Sequence, residues 1–124
     1  MRIEEMLSMA GKEKLETEKI FDYCKSNKIT LNEYCNRVLI HIAQEFLQGK
    51  LDFTYCDYLM NNIYLLMIMD DISDSNYNTQ MVEPAYSIYL AFDEGEFYHP
   101  EDDQNIDPSE KYTKPLLIKI LKEL

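Results

Sequence analysis

The sequence predicts an all-α, single-domain bundle of four or five helices, with an acidic loop ahead of the C-terminal helix. Three observations carry this. Apolar residues recur at three- and four-residue steps along most of the chain, the period of a helix face. The 3 Gly and 4 Pro fall between those patterns and act as punctuation. No internal repeat and no alternation of strand and helix patterns occurs. With 124 residues, 46% of them hydrophobic, the chain makes one domain spanning 1–124, whose folding buries roughly 65–70% of the unfolded surface.

At the N-terminus, Ile3, Met6, Leu7 and Ala10 supply an extra turn or two of helix before Gly11. Lys12 to Lys25 follows with a weaker pattern through Leu15, Ile20, Phe21 and Cys24. The clearest helix opens at Thr30, where Thr30-Leu31-Asn32-Glu33 has the form of a capping box. Leu31, Tyr34, Cys35, Val38, Leu39, Ile42 and Phe46 make its apolar stripe, and Gly49 suits the residue that ends it. From Thr54 to Met69 the chain is apolar on nearly every face, which predicts a helix in the middle of the bundle. Asp70 to Val82 reads as a polar loop. Pro84 then takes a first helical position, where its missing N–H is harmless, and Ala85, Ile88, Tyr89 and Phe92 follow at helical spacing until His99-Pro100. Glu101 to Glu110 reads as an acidic loop, and Pro115 opens a last helix carrying Leu116, Leu117, Ile120, Leu121 and Leu124.

The charge distribution bears on function. The chain has 23 acidic and 12 basic residues, a formal net charge of −11. From Leu51 to Glu110 there are fourteen Asp or Glu and no Lys or Arg in sixty residues. A surface this acidic repels phosphate backbones and anionic membranes, which excludes direct nucleic-acid binding and membrane association as expectations. It suits solubility. It also steers and holds a cationic partner, which is a reason to tolerate the self-repulsion of crowded acids. The candidate partner-binding residues are therefore Asp70, Asp71 and Asp74 in one loop, then Asp93, Glu94, Glu96, Glu101, Asp102, Asp103, Asp107 and Glu110, with Tyr98 among them. Tyr77, Tyr86, Tyr89 and Tyr112 lie in or beside the same stretch, and tyrosine suits an interface by combining ring area with a hydroxyl.

Catalytic and metal chemistry find little to use. His41 sits one turn before Glu45, the spacing of a surface helix pair. Glu96-x-x-His99 has the spacing of a di-iron ligand motif, but the second such motif is missing, since Val38 precedes His41 by three. An EF-hand counted from Asp71 reaches Val82 at its twelfth position and has no Gly at its sixth. No phosphate-binding glycine loop, nucleophile elbow or Cys–His motif is present. The sequence thus predicts no enzyme, no cofactor and no metal. Cys24, Cys35 and Cys56 form no Cys-x-x-Cys pair and are expected as buried thiols of a reducing compartment. Acids at Glu4 and Glu5 are unlike a signal peptide, and Ile63 to Met69 is too short to span a bilayer, so a cytoplasmic protein is expected.

Two stretches carry a resemblance. One is Phe53-x-x-Cys56-Asp57-x-x-Met60-Asn61. The other is Tyr89-x-Ala91-Phe92-Asp93-x-Gly95-Glu96-Phe97-x-His99, continued by Asp107-Pro108 and Lys111-Tyr112-Thr113-x-Pro115. Together, over about residues 53–115, they resemble the small acidic bacterial immunity proteins encoded beside contact-dependent growth inhibition toxins and other polymorphic, colicin-like toxins. The resemblance implies a protein that neutralises a cognate toxin domain by direct binding, often a nuclease with a basic cleft. The alternative reading is an acidic adaptor or nucleic-acid mimic that regulates a basic host protein; a metal-dependent enzyme is a third and weaker one.

Overall fold

The computed structural model describes residues 2–68 and 82–124. Those residues form six α-helices, with no strand among them: α1 (Ile3–Ala10), α2 (Thr17–Ser26), α3 (Leu31–Leu47), α4 (Phe53–Met67), α5 (Ala85–Glu94) and α6 (Lys114–Lys122), with a π-helical turn at Ser109–Thr113 leading into α6. The all-α bundle is as expected; the number of helices is corrected from four or five to six. The extra one is α1, a full helix whose Met6 and Ala10 are buried. A helix this short is marginal alone and depends on packing, which local pattern does not report.

Helix α3 begins at Thr30 as expected, with Thr30 Oγ1 accepting the Glu33 N–H at 3.0 Å as an N-cap. It ends in a Schellman motif: Gly49, at φ 76°, donates to Phe46 O, and Lys50 N–H reaches Glu45 O at 2.9 Å. α2 ends in the same hydrogen-bond pattern, Lys28 to Lys25 O and Ile29 to Cys24 O, but there the left-handed position is held by Lys28 at φ 57°. Helix α4 starts one residue earlier than expected because Asp52 Oδ1 caps it, accepting from Tyr55 N–H at 2.7 Å.

The centre of the bundle is α3, which packs against all five other helices. It buries Leu31, Tyr34, Cys35, Val38, Leu39, Ile42, Ala43 and Phe46. Helix α4, expected in the middle, packs chiefly on α1, α3 and α5 and leaves Tyr55 and Leu65 44% and 50% exposed. Phe46, Phe53 and Phe92 meet where α3, α4 and α5 join, their ring centroids 5.2 to 6.1 Å apart.

Side chains tie the helices together through backbone groups in and beside α1 and α5. Tyr34 Oη donates to Met6 O at 2.7 Å, Tyr58 Oη to Gly11 O at 2.9 Å, and Asn62 Nδ2 to Ala10 O at 2.9 Å, so α3 and α4 satisfy carbonyls in and just beyond α1. At the start of α5, Asn36 Oδ1 from α3 accepts the Ala85 N–H at 2.9 Å. Pro84 is the N-cap there rather than the first helical residue, since its carbonyl accepts the first bond, from Ile88. Cys24, Cys35 and Cys56 are buried thiols. Burial, with the neighbouring Cys24, pushes the Cys35 thiol up to about 12, and burial beside Asp52 and Asp57 does the same to Cys56, so both are held as inert thiols.

Candidate functional site

The C-terminal third differs most from the sequence reading, and it holds most of the candidate acids. Helix α5 stops at Glu94 rather than at His99-Pro100, with Gly95 as its cap. Gly95 is buried because the π-helical turn lies flat against it: a Cβ there would stand 3.0 Å from Ser109 Cα and overlap Thr113 Oγ1. Thr113 cannot turn away easily, since its buried hydroxyl donates to Ala91 O at 2.7 Å. The expected loop of Glu101 to Glu110 ends early. Asp107 Oδ1 accepts from Ser109 N–H and Oγ, both at 2.8 Å, and the Glu110 and Lys111 N–H groups bond to Asp107 O. Asp107-Pro108 is thus a cap followed by a proline in the first helical position, and Pro115 stands inside a helical segment already under way.

The segment between these two helical ends is pinned by one carboxylate. His99, Pro100, Glu101 and Asp102 make a turn closed by Asp102 N–H to His99 O, with Glu101 at φ 73°, the geometry of a type II turn whose third position normally holds Gly. The Asp102 side chain, 6% exposed, accepts from Lys111 Nζ, from Tyr112 Oη at 2.7 Å and from His99 N–H at 2.8 Å. Those hydrogen bonds, Lys111 first and Tyr112 second, hold its carboxyl down to about 2. The His99 ring lies over Tyr112 with centroids 4.1 Å apart, and its Nε2 is 3.1 Å from Glu94 Oε2. The segment is therefore ordered by internal contacts.

This sorts the candidate acids by what the fold already uses. Asp102 and Asp107 face inward bonds and hold the segment together. Glu110 is paired with Lys114 at 2.6 Å, and Glu94 with His99. Asp103 is exposed and caps Asn105 N–H at 2.9 Å, while Tyr98 Oη donates to Gln104 O with its ring 45% exposed. Asp93 and Glu101 are exposed. Phe97, 71% exposed, and Ile106, 47% exposed, stand among these acids. Asp70, Asp71 and Asp74, with Tyr77, lie outside the described residues. The described part of the site is an acidic ridge bearing exposed apolar side chains, with Asp93, Glu101 and Asp103 the acids least committed to the fold.

Glu96, Tyr86 and Tyr89 were candidates from the sequence; what escaped that reading is their association with Asp57 of α4. Glu96 is half-buried and hydrogen-bonded to Asp57 of α4; this bond, burial and the charges of Asp57 and Asp93 push it up to about 7. Beside it Tyr89 stacks on Tyr64 with centroids 4.6 Å apart, and Tyr86 on Tyr89 at 6.3 Å. Burial, then the Asp93 charge, raises the Tyr89 hydroxyl. The available signal was Asp57 itself, the one charged residue within α4. An acid in so apolar a helix implies a partner.

Elsewhere, His41 pairs with Glu45 at 3.3 Å as its spacing suggested. Among the described residues no group of three or more His, Cys, Asp or Glu is arranged to hold a metal ion, and no helix is long and apolar enough to cross a membrane. No protein-family model, curated protein or solved structure matches the chain.

Proposed function

We propose that this chain is a cytoplasmic immunity-type inhibitor, which binds a basic protein partner, a cognate toxin domain, through its acidic ridge and does no chemistry of its own. The observation that carries the reading is the segregation of charge: fourteen acids and no Lys or Arg between Leu51 and Glu110. Placement of those acids supports it. Asp93 and Glu94 occupy the last turn of α5, which carries no basic residue, and negative charge there opposes the helix dipole. Stability alone does not favour that arrangement; attraction of a cationic surface does. Exposed Phe97 offers an apolar anchor within the charged rim. A nuclease cleft is basic because it holds phosphates, so an acidic ridge seated in it competes with the nucleic acid through the same charges.

The test is growth protection and binding, with the toxic domain encoded beside this chain as partner. Reversal of Asp93, Glu101 and Asp103 together to Lys is expected to weaken binding by about 2–5 kcal/mol and to abolish protection. Reversal of Glu4, Glu5 and Glu13, outside the cation-free stretch, is expected to leave both nearly unchanged. The opposite pattern, with protection lost only in the N-terminal variant, overturns the site; a neighbouring reading frame with no toxic domain overturns the function.

A further inference from the structure

We infer that the stacked rings of Tyr64, Tyr86 and Tyr89, with Asp93 one helical turn beyond Tyr89, receive an arginine side chain of the basic partner, which deepens the reading of the chain as a binder of such a protein and rests on it. Tyr64 of α4 and Tyr89 of α5 lie face to face, with centroids 4.6 Å apart and planes 13° from parallel. Tyr86 joins Tyr89 at 6.3 Å and 15°. Other tyrosine pairs meet differently: Tyr23 and Tyr34 edge to face at 73°, Tyr55 and Tyr58 tilted by 56°. The three stacked rings are half-buried, so each packs on the bundle and still meets solvent. On α5, Tyr86, Tyr89 and Asp93 recur at steps of three and four residues, which sets them on one face, beside the face that buries Ile88 and Phe92. Asp93 is exposed there.

A flat cation suits this surface. Ring faces carry negative potential and attract a cation placed over them. Guanidinium is planar and weakly hydrated, so it extends a stack of parallel rings as a further layer. Its N–H groups lie in its own plane and stay free to bond a carboxylate at the same time. An ammonium is a hydrated point charge with no face to stack. Among the described residues, the cation–ring contacts are Lys111 over Tyr112 and Lys114 over Phe46, the nitrogens 5.3 and 5.6 Å from the centroids. Both lysines belong to the helical segment beyond Pro108, whereas α4 and α5 contain no Lys or Arg. The stack thus joins ring faces and a carboxylate on helices without a cation of their own, and the complementary charge is the partner's.

The first measurement uses the free, full chain with isotope-labelled tyrosine. Titration with N-acetyl-arginine amide is expected to shift the ring resonances of Tyr64, Tyr86 and Tyr89, and N-acetyl-lysine amide to shift them much less. Asp93→Asn should reduce the arginine response. Equal responses to the two amides, or none in these rings, overturn the site. The second measurement is affinity for the toxic domain encoded beside this chain. Tyr89→Leu is expected to weaken it by about ten- to thirtyfold. Tyr89→Phe, which keeps the ring face, should lose far less, and Tyr55→Leu, an exposed ring outside the stack, is the control. Among Arg→Lys variants of the domain, one should reproduce the loss, and its effect should vanish against Tyr89→Leu. Full additivity of every such variant overturns the site. Tyr86→Leu decides the matter should Tyr89→Leu fold poorly. A domain bound equally by wild type and both leucine variants overturns the arginine site and leaves the inhibitor reading standing. A chain that answers the arginine amide but binds no toxic domain overturns that reading and supports the site.

Discussion

At the residue scale, this chain places ordinary side chains in backbone positions that favour glycine, and the cost is measurable. α2 and α3 end in the same Schellman motif, one through Lys28 and the other through Gly49. A left-handed conformation costs an L-residue roughly 1–2 kcal/mol, and glycine gives part of that back as chain entropy. Lys28→Gly is therefore expected to stabilise the chain by about 0.5–1 kcal/mol in denaturant melts, with Gly49→Ala moving the other way. Asp102 is a residue-scale feature of a different kind. Its carboxyl is lower in the folded than in the unfolded chain, so its contribution is present above the ordinary aspartate value and is lost as pH falls through about 2. Asp102→Asn should lose that segment of the acid-unfolding profile, with little change in the slope at higher pH. Glu96, raised to about 7, acts with the opposite sign, its contribution being lost as pH rises through about 7, so the two carboxyls can be told apart by the side of the profile on which each acts.

At the element scale, the helix that leads to the C-terminus shows what local pattern misses. Its start was written in Asp107-Pro108, a cap and a first-position proline, but the surrounding acids read as loop and Pro115 drew the boundary instead. Pro115 has no N–H to donate and cannot continue a regular ladder. The chain enters it through a π-helical turn, in which Lys114 N–H bonds to Ser109 O. That turn packs on Gly95, and the fit leaves no room for a methyl group. Gly95→Ala is expected to cost about 1–3 kcal/mol by overpacking, read as a shift in denaturation midpoint with an unchanged slope. By contrast α3 was legible from end to end, because its cap, its stripe and its terminating glycine all lie within one local window.

At the scale of the whole molecule, a net charge of −11 on 124 residues opposes the compact state. Salt screens that repulsion over about 10 Å at 0.1 M, while the described ion pairs are mostly exposed and contribute little. The Tm of the free chain is therefore expected to rise as sodium chloride is added, whereas binding to a cationic partner should weaken; a Tm that falls with salt would mean that ion pairs dominate stability. The all-α class, the stripe of α3, the cap at Thr30 and the segregation of charge are properties of neighbouring residues, and the amino-acid order alone determined them. Which helix lies at the centre, which acids the fold consumes and which it leaves outward are decided by partners distant in the chain. Asp102 is spent on Lys111 and Tyr112, and Asp57 meets Glu96 only because α4 and α5 pack side by side. A carboxylate's role follows from what stands within hydrogen-bonding reach of it, and for these residues only the packed bundle sets that.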